Sequence, residues 1–546
     1  MAKVARAMAA EGSASAEAAG GRLSHGIAPA RSRSSGVRPD PVAILRSRFG
    51  YPGFRPGQEE LVRAVIAGRD ALGVLPTGGG KSVCYQVPAL AMGGVTLVIT
   101  PLVSLMEDQV GRALQIGLRA AHLSSTQPSD ERRGVADRAR RGDLDILFVA
   151  PERLDSPSFC EFLGTLDVRL LAVDEAHCIS EWGHDFRPSY RRIGGVRPLL
   201  GCPTLALTAT ATPAVRTDIL GSLGLGDALV LVRSFDRPNL SWTVLPGGRP
   251  ADRAAAVHRL LRRTPGCAVV YAPTRRSVET VRDLLASRGV RAEAYHAGLE
   301  GAERTRVQEA FMADACRVVV ATNAFGMGID KPDVRLVAHV QLPSTLESYY
   351  QEAGRAGRDG DPASCVAFWA RADRRLGRSF IDRTHPPGRR LKGAHTTLRR
   401  IAGSGAVASL DASSGVLREL IGPDLDAWSA GDPVGVLGAL ERIGAIRRLG
   451  RAGRGGEGDG RPAGTETGSG GSVTDRIGVR RRLDTAAATV LRRRALDKLR
   501  AVQRFARGRE CRRGALLRYF GEDAPEACGR CDRCTSAIDR PNLRHA

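Results

Sequence analysis

The chain is poor in aromatic residues, in lysine and in long apolar runs. Phe, Trp and Tyr together make up 5% of its 546 residues. No uncharged apolar stretch approaches the roughly 18 residues that a membrane-spanning helix needs, so the sequence predicts no membrane partner. Only five lysines occur among 81 basic residues. A lysine that remains can mark a site where a compact ammonium is required, and Lys81 is such a candidate.

Acidic residues are scarce relative to basic ones. The cysteines do not have the spacing of a disulfide framework. The formal net charge of +23 indicates a polyanionic partner such as nucleic acid, although a solvated arginine-rich surface accounts for part of it. Seven of the eleven cysteines are scattered, mostly in apolar runs, and four cluster near the end. This pattern favours a reducing, cytoplasmic location with one metal site over a set of disulfides.

Short β-rich apolar runs such as "TLVIT" and "LLAVDEA" alternate with longer amphipathic stretches. The alternation predicts parallel sheets covered by helices, and it occurs twice. The predicted segments are a disordered tail (1–38), a first α/β domain (39–235), a second α/β domain (236–378), an inserted, mainly helical unit (379–450), a flexible Gly-rich linker (451–478), a zinc-binding module (479–536) and a tail (537–546).

The stretch "DPVGVLGALERIGAIRRLG" in the inserted unit predicts a helix followed by a strand. Asp432 is its predicted N-cap, Pro433 its first residue and Gly444 its terminator. A helix followed by a basic strand is typical of a winged-helix-like unit, and a plain helical hairpin is the alternative.

The stretch "LPTGGGKS" lies between a short apolar run and a plausible helix. Consecutive glycines allow backbone N–H groups to surround phosphate oxygens, Lys81 can reach the terminal phosphates, and Ser82 can bind magnesium. The strict P-loop pattern has glycine where Leu75 stands, so the match is one residue short. The predicted nucleotide-binding residues are Thr77, Gly78, Gly79, Gly80, Lys81 and Ser82.

An acidic pair ends the predicted strand in "LLAVDEAH". Asp174 can hold magnesium and Glu175 can activate the attacking water. Upstream of the P-loop, the Gln58 amide in "FRPGQEE" can pair with an adenine edge, although an ordinary surface glutamine is the default for that motif alone.

Three aromatic residues follow the acidic pair in "DEAHCISEWGHDFRPSY". Trp182, Phe186 and Tyr190 lie among polar residues, which favours an exposed loop whose rings stack on unpaired bases. The alternative is that the rings pack this loop against its domain, and that alternative is strongest for Tyr190. The hypothesis is a sensor in which bases on Trp182 and Phe186 shift Asp174, Glu175 and His177 into a productive arrangement.

Two further motifs carry charged or metal-binding side chains. In "QEAGRAGRDG", Arg355 and Arg358 can contact a phosphate across a cleft, whereas an ordinary basic loop is the default for the motif alone. The last four cysteines have the spacing C-x16-C-x2-C-x2-C, which closes a tetrahedron on a structural Zn²⁺. They are Cys511, Cys528, Cys531 and Cys534.

In combination, these motifs resemble those of the RecQ family of DNA helicases, in helicase superfamily 2. The resemblance is carried by the stretches "FGYPGFRPGQEE", "LPTGGGKSVCYQ", "ITPLVSLMEDQV", "DEAHCISEWGHDFRPSY", "ALTATAT", "YHAGL", "ATNAFGMGIDKPDVR", "QEAGRAGRDG" and "CRRGALLRYFGE" followed by "CGRCDRC". It implies two tandem RecA-like domains with ATP between them. It also implies that Tyr51, Arg55 and Gln58 bind the base, that Asp330 lies near the ribose, and that Arg355 and Arg358 lie near the γ-phosphate, with Arg358 as the arginine finger.

The resemblance implies an ATP-dependent 3′→5′ DNA helicase that acts in DNA repair, recombination or replication. Its cofactors would be ATP, Mg²⁺ and a structural Zn²⁺. Its partner would be DNA, single-stranded and branched or duplex, and its location the cytoplasm, with the nucleoid. The alternatives are an RNA helicase and a nucleic-acid-binding or annealing protein with a weak motor. Better-known members carry a winged helix after the zinc module, whereas here the possible winged-helix unit precedes it.

Overall fold

The computed structural model describes residues 39–76, 78–101, 103–124, 127–183, 185–326, 331–403, 405, 407–411, 435–452 and 474–535. None of the helices in these ranges combines the length and the apolar character that crossing a membrane requires. The predicted tails at 1–38 and 537–546 lie outside the described residues, as do Thr77, Asp330, Asp432 and Pro433.

The first lobe is a seven-stranded parallel sheet in the order β3-β4-β2-β5-β6-β1-β7. Its inner strands are continuous apolar runs because helices cover both faces of the sheet. The strands are β1 (Ala71–Val74), β2 (Val95–Ile99), β3 (Ala120–Leu123), β4 (Ile146–Val149), β5 (Val168–Val173), β6 (Thr204–Thr208) and β7 (Leu229–Val232). The helices are α1 (Pro41–Phe49), α2 (Gln58–Ile66), α3 (Val83–Met92), α4 (Val103–Gln115), α5 (Ser129–Arg140), α6 (Pro157–Gly164), α7 (Arg192–Leu200) and α8 (Pro213–Leu223).

The second lobe is a six-stranded parallel sheet in the order β10-β11-β9-β12-β13-β8. The strands are β8 (Leu240–Pro246), β9 (Cys267–Tyr271), β10 (Glu293–Tyr295), β11 (Val318–Ala321), β12 (Val334–His339) and β13 (Ala363–Trp369). The helices are α9 (Pro250–Arg263), α10 (Arg275–Ala286), α11 (Gly301–Met312) and α12 (Leu346–Ala353). The two predicted α/β domains are therefore confirmed, and the predicted boundary at 235 falls in the segment between β7 and β8.

The inserted unit combines helices with a small antiparallel sheet. Its elements are α13 (Asp373–Thr384), α14 (Gly388–Ala402), β14 (Val407–Asp411), α15 (Gly435–Arg442), β15 (Ile446–Ala452) and β16 (Thr474–Val479). The strand order is β14-β16-β15, all antiparallel. Helix α15 leads into β15, which pairs with β16, so the stretch Gly435–Ala452 is a helix followed by a strand and not a plain helical hairpin. The winged-helix-like unit stays a prediction, since residues 412–434 lie outside the described residues. Helix α13 crosses the predicted boundary at 378.

The predicted linker at 451–478 is too long at both ends. Arg451 and Ala452 belong to β15, and residues 474–478 belong to β16, which pairs with β15 on one side and with β14 on the other. The pairing satisfies backbone groups of segments far apart in the sequence, which composition alone does not reveal. Residues 453–473 lie outside the described residues.

The C-terminal module consists of a long basic helix, a short helix and the cysteine turns. The helices are α16 (Ala486–Arg507) and α17 (Arg512–Tyr519). One apolar cluster runs from the first lobe through the second and into this module, where Phe505, Leu516 and Phe520 are buried. The module is thus packed on the two lobes through a shared core.

Candidate active site

The P-loop joins the end of β1 to the start of α3, as the sequence predicts. Gly78 and Gly80 have φ of +79° and +70°, a conformation that favours glycine. The Arg55 guanidinium donates to the Gly78 carbonyl. The amide of Gln58 donates to the carbonyls of Gly79 (3.0 Å) and Gly80 (2.9 Å). Two of the three residues predicted to bind the base therefore also support the phosphate-binding loop.

Lys81 faces the acidic pair at the end of β5. Its Nζ lies 3.0 Å from Glu175 Oε1. Burial alone would lower the pKa of Lys81, but the charges of Glu175 and Asp174 outweigh burial and raise that pKa. Burial would raise the pKa of Glu175, but the charge of Lys81 and the hydrogen bond with His177 outweigh it and lower that pKa. Both groups are thus charged at neutral pH.

Glu175 also has an unusual backbone. Its φ of +47° is left-handed, which is uncommon for a residue other than glycine and costs on the order of 1–3 kcal/mol. Such strain is found mainly where the surrounding structure holds a functional side chain in place. Here the backbone N–H of Glu175 donates to Asp174 Oδ1 (2.9 Å), so the strained turn holds the Asp174 carboxylate in place.

Asp174 is buried beneath this turn. The Gln109 amide donates to Asp174 Oδ2 (3.3 Å), and Gln109 in turn accepts from the Tyr85 hydroxyl (2.8 Å). Burial and the neighbouring charge of Glu175 raise the pKa of Asp174. Asp174 and the N-cap residue of α3, Ser82, are the predicted magnesium ligands, and hard oxygen donors of this kind are what Mg²⁺ prefers. Sequence reasoning did not assign Gln109, although it lies in the recognisable stretch "ITPLVSLMEDQV".

The two predicted arginines of the second lobe have different surroundings. Arg355 is buried, and its guanidinium donates to the carbonyl of Gly326 within its own lobe. The side chain of Arg358 instead crosses to the first lobe, where a Cβ on Gly78 would lie 3.4 Å from Arg358 Cγ. Of these two arginines, Arg358 is the one that lies against the P-loop, and its role as the arginine finger stays a prediction. Asp330, predicted near the ribose, lies outside the described residues.

Tyr51 lies directly after Gly50, the C-cap of α1. Its side chain is 51% exposed, and its ring stacks on Phe49 at a centroid distance of 6.4 Å. An exposed ring already held by a neighbour is available to stack on a base.

The aromatic loop after the acidic pair divides into exposed and buried rings. Tyr190 is fully buried, and its hydroxyl donates to the Asp174 carbonyl (3.1 Å), so the packing alternative holds for this residue. Trp182 is 41% exposed, and Phe186 lines a cavity of about 550 Å³. Trp182 borders a different, more open hollow beside Thr217 and Asp218, so the two rings do not share one cavity.

The loop is in direct contact with the catalytic turn. A Cβ on Gly183 would lie 2.3 Å from the His177 carbonyl oxygen, so the loop backbone packs tightly on that residue. His177 Nδ1 lies 3.0 Å from Thr208 Oγ1 and 3.3 Å from Glu175 Oε2. A displacement of the loop therefore has a short path to Glu175. Thr208 lies in "ALTATAT", but nothing in its local sequence identifies it as the partner of His177.

Helix α16 covers part of this loop. The Arg494 guanidinium carbon lies 3.6 Å from the centroid of the Trp182 ring. The Lys498 ammonium donates to the Trp182 carbonyl and lies 2.9 Å from Glu347 Oε1 on α12. Lys498 thus joins the aromatic loop of one lobe to a helix of the other. Its only signal in the sequence is that it is one of the five lysines.

The four clustered cysteines converge as predicted. Their sulfur atoms all lie within 4.8 Å of one another. The Cys531 and Cys534 sulfurs are 3.4 Å apart, close to the roughly 3.8 Å that a tetrahedral zinc with Zn–S bonds of about 2.3 Å requires. Backbone N–H groups of Gly514 and Cys528 donate to the Cys511 and Cys534 sulfurs, which favours thiolates. The cluster therefore fits a structural zinc.

Comparison with known protein families identifies three matching regions. The DEAD/DEAH box helicase model matches residues 55–218, the helicase conserved C-terminal domain 252–360, and the RecQ zinc-binding model 473–535. The last begins at β16, so it spans the join between the inserted unit and the zinc module.

Curated relatives agree with these models. An ATP-dependent DNA helicase RecQ from Pasteurella multocida is 45% identical over 351 residues, which cover 64% of this chain and 55% of that protein. A probable ATP-dependent DNA helicase RecS from Bacillus subtilis is 42% identical over 336 residues, 61% of this chain and 67% of that protein. The chain spans little more than half the length of the first RecQ relatives that it matches.

Solved structures share the two-lobed fold at low sequence identity. The Mycobacterium smegmatis helicase Lhr bound to ssDNA and AMP-PNP has a TM-score of 0.51 at 22% identity, covering 68% of this chain and 55% of that one. The DEAD-box protein Mss116p bound to ssRNA and AMP-PNP has a TM-score of 0.53 at 18% identity, covering 65% and 79%. The solved structures support the fold, and the family models together with the curated relatives establish that the chain belongs to the RecQ family of superfamily 2 helicases.

Proposed function

We propose that the protein is an ATP-dependent 3′→5′ DNA helicase, which couples ATP hydrolysis to movement along single-stranded DNA and to duplex unwinding. The observation that carries this proposal is the placement of Arg358 of the second lobe against Gly78 of the P-loop, opposite the Lys81–Glu175 pair. Charges from both lobes then meet at the phosphate site, so hydrolysis depends on how the lobes are closed.

The residues divide the chemistry among themselves. Lys81 and Arg358 stabilise the negative charge that develops on the transferred phosphoryl group. The triphosphate replaces Glu175 as the partner of Lys81. The Glu175 carboxylate, released from that ion pair, orients the attacking water and accepts its proton. Asp174 and Ser82 would hold Mg²⁺, which neutralises charge on the β- and γ-phosphates.

Tyr51, Arg55 and Gln58 are proposed to bind the adenine, and Asp330 the ribose. Arg55 and Gln58 donate to the carbonyls of Gly78, Gly79 and Gly80. A base that draws either side chain toward itself therefore acts on the phosphate-binding loop as well. This link supports a site that distinguishes ATP from a bare triphosphate.

DNA is the proposed partner, and the net charge of +23 favours it. The cavity of about 550 Å³ has walls from both lobes, from α15 and from α16, including Phe186, Asn323, Arg442 and Lys498. It offers a ring for stacking and cations for phosphate contacts, the combination used for unpaired strands. Branched or duplex substrates, roles in repair, recombination or replication, and a location at the nucleoid are proposed from family membership.

The test is ATP hydrolysis by the purified full chain without nucleic acid, with single-stranded DNA and with RNA of the same sequence. We expect strong stimulation by DNA and weak stimulation by RNA. Unwinding of duplexes with a 3′ or a 5′ single-stranded tail tests direction, and only the 3′-tailed duplex should open. Stimulation mainly by RNA would identify an RNA helicase, and annealing without stimulated hydrolysis would identify an annealing protein with a weak motor.

Glu175→Gln is the matched control because the change keeps the size of the side chain and removes its negative charge. The variant should bind ATP and lose hydrolysis. Unwinding activity that persists in this variant would come from a contaminant and not from the proposed motor.

A further inference from the structure

The segment between the lobes binds the turn that carries the arginine finger. Arg237, between β7 and β8, donates to the carbonyls of Gly354 (3.1 Å), Ala356 (2.8 Å) and Gly357 (2.9 Å). The nearby Asn239 amide donates to the carbonyls of Gly357 (2.8 Å) and Asp361 (2.9 Å). Two side chains thus hold four carbonyls of one turn.

That turn has few other ways to satisfy its carbonyls. Helix α12 ends at Ala353, so the carbonyls that follow have no partners in a continuing helix. Gly357 has φ of +54°, and a Cβ there would lie 2.5 Å from the Asn239 amide nitrogen. The backbone of the turn and the interlobe segment are therefore in close contact, one residue before Arg358.

The interlobe segment is itself held from the opposite side by the zinc module. The Arg513 guanidinium pairs with the Asp236 carboxylate. Glu522 accepts from the backbone N–H of Phe235 (2.5 Å), and the rings of Phe235 and Phe520 stack at 4.3 Å. Arg237, together with Asn239, thus extends from a fixed segment to the turn.

We propose that Arg237 is a positioning residue for Arg358, which sets the arginine finger against the P-loop by fixing its turn. This inference rests on the proposed function. The planar guanidinium presents five donors in a fixed arrangement and can hold three carbonyls at once, which a lysine ammonium cannot do with the same geometry. A small displacement of a catalytic group costs rate out of proportion to the contact that is lost.

The competing explanation is that Arg237 only stabilises the second lobe. Arg317 offers a matched control, because it also donates to three backbone carbonyls in that lobe, those of Gly266 (2.8 Å), Leu261 (2.7 Å) and Thr264 (2.6 Å). These carbonyls lie at the end of α9 and the start of β9, which contribute no proposed catalytic residue. If loss of stability were the only effect, kcat should change similarly in Arg237→Ala and Arg317→Ala.

The experiment compares kcat and KM for ATP, at saturating single-stranded DNA, across a set of variants. The set is Arg237→Ala, Arg237→Lys, Arg317→Ala, Arg358→Ala and the Arg237→Ala/Arg358→Ala double variant. Arg237→Ala should lower kcat by roughly 10- to 100-fold with KM within about threefold. Arg237→Lys should be intermediate. Arg317→Ala should keep kcat within about twofold while its melting temperature falls by a similar amount to that of Arg237→Ala.

The double variant decides between the two explanations. If Arg237 acts through Arg358, adding Arg237→Ala to Arg358→Ala should lower kcat by no more than about threefold further. A further loss as large as that in the wild-type background would overturn the inference and leave the proposed function intact. A full-rate Arg358→Ala variant would overturn both the inference and the role of the finger. Should Arg237→Ala not fold, Arg237→Lys in the same two backgrounds gives the same comparison.

Discussion

Replacing Trp182 with alanine removes an exposed ring from the loop that contacts the catalytic turn. The ring is 41% exposed and its main neighbour is the Arg494 guanidinium at 3.6 Å. A partly exposed contact of this kind contributes about 0.5–1 kcal/mol to the free energy of unfolding. The Lys498 contact to this loop uses the Trp182 carbonyl and survives the change. We therefore expect Trp182→Ala to fold.

The expected effect on DNA binding is larger. Stacking of one base on an aromatic side chain contributes about 1–3 kcal/mol, which corresponds to roughly 5- to 150-fold in affinity. This full effect applies if the base stacks on the ring face that is already exposed. If the base must first displace Arg494, the wild type gains about 0.5–1 kcal/mol less, and the expected loss is two- to fivefold smaller.

The assay is a titration of ATP hydrolysis with single-stranded DNA, which gives the DNA concentration for half-maximal stimulation and the maximal stimulation. Trp182→Ala should raise the DNA concentration for half-maximal stimulation by roughly 5- to 150-fold. It should also lower the maximal stimulation, because the loop contacts His177 through Gly183. Trp182→Phe is the matched control, since it keeps a ring and should retain most of both quantities. Normal values for both in Trp182→Ala would refute the sensor hypothesis and leave Trp182 as a packing residue.

Three further changes test other parts of the site. Lys81→Ala should lower kcat by about 100-fold or more while DNA binding, measured by fluorescence anisotropy, stays near wild type, and turnover within a few-fold of wild type would contradict the P-loop assignment. Elemental analysis should find about one zinc ion per chain in the wild type, and Cys531→Ser should lower both the bound zinc and the melting temperature. A metal-free protein with an unchanged melting temperature would contradict a structural zinc. Gly183→Ala adds a Cβ 2.3 Å from the His177 carbonyl oxygen and should reduce DNA stimulation more than ATP-analogue binding. Gly195→Ala on helix α7, where no atom lies within 4 Å of the added Cβ, should change neither.

Much of the site follows from short stretches of sequence. Two examples are the Gly-rich loop between a strand and a helix, and the acidic pair at a strand end. The residues of each motif are adjacent in the sequence, so the adjoining strand or helix sets their relative positions. The apolar runs that predict the two sheets work for the same reason, since each strand has to be covered on both faces. The cysteine spacing is equally local for three of the four ligands.

The sequence favoured packing more strongly for Tyr190 than for Trp182 or Phe186, but it did not decide which rings are exposed. Trp182, Phe186 and Tyr190 lie in the same polar stretch, yet Tyr190 is fully buried while Trp182 is 41% exposed. The difference arises because the Tyr190 hydroxyl reaches the Asp174 carbonyl across the fold of the loop. The direction of a ring in an irregular loop depends on the path of its backbone, which has no periodicity to read.

Only the tertiary structure decided the contacts that join separate parts of the chain. Arg237 binds a turn that begins 117 residues later, and Lys498 reaches a loop 316 residues earlier. Strand β16 pairs with two strands from different parts of the inserted unit, inside a range that composition marks as linker. In their own stretches of sequence, nothing marks Arg237 or Lys498 as a contact between distant segments, and nothing marks β16 as a strand that pairs on both sides. Their roles come from partners that the folded chain brings within hydrogen-bonding distance, and no local pattern records which partner that will be.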